Sequence, residues 1–203
     1  QRQMCIRDRT TKVDALAQLA PALRRLTGPD TGVVSTQNGI SAPELLADAV
    51  GKEHVLPGVA RVYSAITSPG EVRTIGNAGS LALGEWDGAA TARCAAAVET
   101  LEAAGIRAWI PGSIWAELWR KVSFVVVQGA LVAATNAPIG VLRSDLRDAF
   151  TRAVSEVVAV AAALGHDLAT DAAPDPVAAA DAERAQRLRG PRAAGVQLGE
   201  AQR

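Results

Sequence analysis

Cysteine is scarce in this 203-residue chain: Cys5 and Cys94 are the whole complement. That excludes a disulfide framework and fits a reducing, cytoplasmic setting. Histidine is equally scarce, with His54 and His166 standing alone, and neither cysteine has a partner at ligand spacing. No zinc or iron constellation can be written from such a set. Charge of one sign is lacking as well. Lys+Arg and Asp+Glu are both 21, so the formal net charge is zero. This argues against nucleic acid or an anionic membrane as partner, since both favour a basic excess. No uninterrupted apolar run approaches the ~18 residues of a membrane span. The opening segment lacks the apolar stretch of a signal peptide. Nor is there a G-x-S-x-G elbow, a P-loop or a G-x-G-x-x-G fingerprint.

What is present is a chain that is 49% hydrophobic, enough for a sizeable core. Residues 1–9 show no helix or strand period and read as a tail or an artefact of sequence assembly. Residues 13–27 carry apolar groups at helical spacing and end at Gly28-Pro29. Gly32-Val33-Val34-Ser35-Thr36 is a short strand that runs into the turn Gln37-Asn38-Gly39. Ser41, with Glu44 three residues on, predicts a capped helix ending at Gly51. Strand-like runs follow at 55–56, 59–66, 71–75 and 80–84, then an Ala-rich helix at 89–104 and a strand at 106–110. After Pro111-Gly112 strands vanish. Ser113 opens a long apolar helix through about Thr135, and a second helix covers 144–164. The expected organisation is α/β over 10–112, all-α over 113–170, and a divergent or disordered tail over 171–203.

Two candidates for chemistry stand out. Asn38 sits at the carboxyl end of a strand, where ligands of open α/β sheets bind. Its amide can donate and accept, which suits a substrate or a cofactor carboxamide. A tight turn explains the same residue, because Asn and Gly both tolerate φ > 0. Lys121 is one of only three lysines, with Lys12 and Lys52, among eighteen arginines. It lies in Leu118-Trp119-Arg120-Lys121-Val122-Ser123-Phe124, flanked by large apolar groups. Desolvation there would lower its pKa and make it a proton donor near neutrality. The alternative is an exposed lysine paired with Glu117 at i,i+4. His166, just past Gly165, reads as a charge at a helix end or a surface residue.

In order, these segments resemble the ketopantoate reductase (2-dehydropantoate 2-reductase) family. The resemblance rests on Thr11-Lys12, Val34-Ser35-Thr36-Gln37-Asn38-Gly39-Ile40, Val55-Leu56-Pro57-Gly58-Val59, Ser68-Pro69-Gly70 and Leu83-Gly84-Glu85. It continues through Leu118-Trp119-Arg120-Lys121, Ala137-Pro138-Ile139-Gly140 and Ser155-Glu156-Val157-Val158-Ala159-Val160-Ala161. It implies the C-terminal part of a Rossmann-like domain followed by a 6-phosphogluconate-dehydrogenase-like helical domain. The implied reaction is the NADPH-dependent reduction of a 2-keto acid to a 2-hydroxy acid, on the pantothenate route to coenzyme A. By residue match, Lys121 is the catalytic lysine, Asn38 contacts substrate and cofactor, and Lys12 lies near the cofactor. Many members carry substrate-contacting asparagines four and eight residues past the lysine. Here those positions are Val125 and Gly129.

Three expectations complete the reading. The chain is a fragment lacking the N-terminal Gly-rich motif, and alone it neither turns over nor binds NADPH usefully. Its partner is a small 2-keto acid, with a homodimer built on the helical part. The rivals are another 2-hydroxy or β-hydroxy acid dehydrogenase, or a non-catalytic helical dimerisation fragment.

Overall fold

A computed structural model describes residues 6–9, 13–74 and 79–168. Strands β1 (Ile6–Arg9), β2 (Gly32–Ser35) and β3 (Val55–Leu56) form a parallel sheet in the order β1-β2-β3. Helix α1 (Leu16–Leu26) crosses between β1 and β2, and α2 (Ala42–Val50) between β2 and β3. A second sheet holds β4 (Gly58–Arg61), β7 (Ser80–Leu83) and β8 (Arg107–Trp109) in the order β4-β7-β8, antiparallel then parallel. Between its first two strands, β5 (Ser64–Ser68) and β6 (Glu71–Thr74) make an exposed hairpin. Helix α3 (Ala92–Ala103) leads into β8, and α4 (Ile114–Thr135) and α5 (Arg147–Ala163) follow. This is a Rossmann-like α/β layer followed by a helical part.

The period-2 alternation of strands explains the layering. Val33 and Val55 point into a cluster with Leu16, Leu23 and Leu46 of α1 and α2. Their neighbours Val34 and Leu56 point the other way, to Leu81, Leu83, Cys94 and Ala97 beside α3. The two sheets meet at Gly58, whose amide donates to Ser35 Oγ at 3.1 Å. A Cβ there would lie 2.6 Å from the Ser35 carbonyl oxygen, so only glycine permits the approach.

Several local expectations are corrected. Residues 6–9 are not a featureless tail but pair along β2, because a parallel ladder uses backbone groups whatever the side chains. The run 59–66 is two strands, β4 bound to β7 and β5 bound to β6. Ser41 is not a side-chain cap: its backbone is already helical (φ −87°, ψ −17°), which carries Oγ away from the amides it would serve. Ser113 is one, its Oγ accepting from the Ala116 amide at 3.2 Å. By length and composition alone α4 would cross a membrane, yet its first half is packed inside the protein. Lys12 and the expected tail 171–203 lie outside the described residues.

Candidate active site

Helix α4 reaches the second sheet through Ile114 and Leu118, which bury against Val59 and Ala82. Glu117 and Lys121 continue this stripe at helical spacing, so the helix drives two charged side chains toward β4. Lys121 Nζ donates to the carbonyl oxygen of Ala60 at 2.6 Å. Burial, and secondarily the charge of Arg61, lower its pKa from the ordinary lysine value to about 8. The Glu117–Lys121 pair is not formed. Glu117, 6% exposed, instead accepts from Arg61 Nη2 and from Arg120 Nη1, the latter at 2.8 Å. Arg120 also donates to the Leu168 carbonyl at 3.2 Å, tying the segment after α5 to α4. The Arg61 guanidinium lies 5.4 Å from the centre of the Trp109 ring, within cation–π range.

Asn38 is exposed in the turn after β2. Gly39 takes the left-handed conformation at φ 106°, whereas Asn38 does not, so turn geometry does not require an asparagine there. Gln37 is buried, its Oε1 accepting from the Thr36 amide at 3.3 Å. Ile40, two residues past Asn38, packs on the cluster of Val59, Ala82, Ile114 and Leu118. The Asn38 turn is thereby seated against the α4 face that carries Lys121.

Sequence reasoning missed two features. One is the Arg61–Glu117–Arg120 network. The other is a stack of rings joining the two parts of the fold. Trp86 and Trp115 are 5.5 Å apart, and His166 lies over Trp115 at 5.8 Å and beside Trp119 at 6.1 Å. Trp86 Nε1 donates to the Val55 carbonyl and Trp115 Nε1 to the Trp86 carbonyl. His166 is thus part of a packed seam, not a lone surface residue. The spacing of Trp115 and Trp119, one helical turn apart, was the available signal. Glu85 anchors the start of α3: Arg93, first of all, and Thr91 hold its carboxyl below the usual carboxylate range. Burial pushes the adjacent Cys94 thiol up.

An α/β layer of Rossmann type, a helical part after it, and a half-buried lysine at their junction define a two-part class of protein. Family models give that class its name. The model for ketopantoate reductase PanE/ApbA matches residues 10–88, and the model for its C-terminal part matches residues 113–191. The chain belongs to the ketopantoate reductase family. A 2-dehydropantoate 2-reductase of Halobacterium salinarum is 32% identical over 135 residues, 66% of this chain and 44% of that protein. An uncharacterized oxidoreductase of Bacillus subtilis is 26% identical over 130 residues, 64% of this chain and 43% of the relative. The chain therefore spans less than half the length of these curated relatives. Among solved structures, the 2-dehydropantoate 2-reductase of Geobacter metallireducens superposes with a TM-score of 0.77 at 26% identity, covering 91% of this chain and 60% of that one. A D-mandelate dehydrogenase in complex with NADH shares the fold at a TM-score of 0.77 and 21% identity, over 87% and 59% of the two chains.

Proposed function

We propose that the protein to which this chain belongs reduces a 2-keto acid of the 2-dehydropantoate type to the 2-hydroxy acid with NADPH, serving pantothenate and coenzyme A synthesis. The observation that carries this reading is Lys121: a half-buried lysine at the junction of sheet and helix, with a pKa near 8. Such a group is protonated at neutral pH yet gives up its proton readily. Its role is to donate to the ketone oxygen as the carbonyl carbon is reduced; the bound dinucleotide supplies the hydride. The Ala60 carbonyl fixes the direction of Nζ, and the apolar stripe of Ile114 and Leu118 limits water.

Asn38 is assigned to the nicotinamide and substrate end, supported by its exposure beyond β2 and by a backbone that does not call for asparagine. Lys12 is assigned to the cofactor on the family match alone. The residues fit the dinucleotide only in part. Among the described residues no Gly-rich turn links a strand to a helix as a pyrophosphate needs. A reduction of some other 2-keto acid is the second reading, favoured by Val125 and Gly129. They offer no polar side chain one and two turns past Lys121. The reading places the protein in the cytoplasm, with small molecules as partners and neither nucleic acid nor membrane. Val126 on α4, Val160 on α5 and Leu164 just past α5, all exposed, suit a homodimer.

The test is oxidation of NADPH by 2-keto acids, followed for the 203-residue chain and for the same chain extended by the coding sequence upstream of it. The extended protein is expected to turn over, and the chain alone is expected to bind no NADPH in the micromolar range. An extended protein that reduces no 2-keto acid would end the reading.

A further inference from the structure

We propose that Arg61 is the carboxylate-recognition residue of this site, its guanidinium receiving the carboxylate of a 2-keto acid whose ketone oxygen rests on Lys121. The inference builds on the reductase reading and adds the group that selects an acid over an uncharged ketone.

Lys121 Nζ donates to the Ala60 carbonyl at 2.6 Å, and Arg61, the next residue of β4, donates to Glu117, one helical turn before Lys121, so both cations engage the same junction of β4 and α4. In a 2-keto acid the carboxylate carbon is bonded directly to the ketone carbon. Its two acceptors therefore need two neighbouring donors of different kinds: a point donor for the ketone and a fork for the carboxylate. Lysine and arginine are those donors.

The guanidinium is also held ready. Nη2 donates to Glu117, the guanidinium carbon lies 5.4 Å from the centre of the Trp109 ring, and Glu117 is in turn fixed by Arg120 at 2.8 Å. Nε and Nη1 bond no described group, and 34% of the side chain is exposed. A pre-oriented arginine with donors to spare loses little freedom on taking a ligand. The Arg61 charge reaches Lys121, whose pKa it helps to lower after burial. A bare structural clip between β4 and α4 would require only the Glu117 contact.

The experiment is a ligand-observed NMR titration of the full 203-residue chain with 3-methyl-2-oxobutanoate and, separately, with its uncharged methyl ester. The wild-type chain is expected to bind the acid more tightly than the ester. Arg61→Gln should weaken the acid by about tenfold, the scale of a charge-assisted hydrogen bond, and leave the ester within about twofold. Arg61→Lys, which keeps the charge and the Glu117 partner, should retain part of the preference. Equal loss of acid and ester in Arg61→Gln would show a structural clip and overturn the proposal. Unchanged acid binding in that variant would overturn it too, with the 2-keto acid reading intact. A wild-type chain that binds no acid would overturn the proposal, while the reductase reading stands or falls on turnover by the extended protein.

Discussion

From Ile114 to Ser123, α4 buries Glu117 and Arg120 at 6% and 7% exposure and half-buries Lys121. From Phe124 to Thr135 the same helix carries no charge, yet Val125 is 38% exposed, Val126 54%, and Gly129, Ala130, Ala133 and Ala134 are exposed as well. Polar groups lie inside at one end and apolar groups outside at the other. Lys, Glu and Arg are almost never fully buried unless paired. The first half meets that condition with one carboxylate between two guanidiniums, and it is where the chemistry is proposed. The second half packs toward α5 along Phe124, Val127, Leu131 and Val132, leaving Val125, Val126 and the exposed small residues uncovered.

The buried half of α4 is most vulnerable at Glu117. Glu117→Ala leaves Arg120 buried without its carboxylate, and is expected to cost about 3 kcal/mol in denaturant unfolding. A cost under about 1 kcal/mol would mean that the network is not structural. Next in size is Lys121→Ala, expected to lower turnover of the extended protein about 100-fold with thermal stability retained, as measured by steady-state kinetics. Asn38→Ala should lower kcat/KM about tenfold, the scale of a lost ligand hydrogen bond, without moving Tm; a fall in Tm instead would return Asn38 to a turn role.

Lys121 also sharpens the contrast through pH. Its folded pKa of about 8 lies below the ordinary 10.5, so over that interval the unfolded chain holds a proton that the native one has released. Stability should therefore rise with pH from about 8 toward 10.5, and Lys121→Met should remove that contribution. Reduction should fall over the same range as the proton donor is lost. Smallest of all is Val126→Ser in the exposed half, expected within about 0.5 kcal/mol of wild type in the isolated chain. A larger loss would show that this face is covered.

The helices and most strands were legible in the sequence because their apolar periods are local: the 13–27 and 144–164 patterns match α1 and α5 to within a few residues at each end. Lys121 was legible for the same reason, as a cation in an apolar stripe. Arg61 was not, since its meaning depends on Glu117, 56 residues away, and no periodicity encodes that contact. The packing of His166 was not legible because its neighbours are rings on α4, some fifty residues back in the chain. Ser41 failed as a cap because the sequence shows which side chain could cap, while the backbone angle decides whether it does.

The tryptophan seam has an optical consequence. Two indoles 5.5 Å apart and tilted by 53° share their excited states, so their absorption bands split with opposite rotational sign. Trp86 belongs to the segment following β7 and Trp115 to α4, and the indole N–H of the second is tied to the backbone of the first. A circular dichroism couplet from this pair reports, without any label, whether the helical part is seated on the sheet. The protein carries its own spectroscopic ruler across that seam.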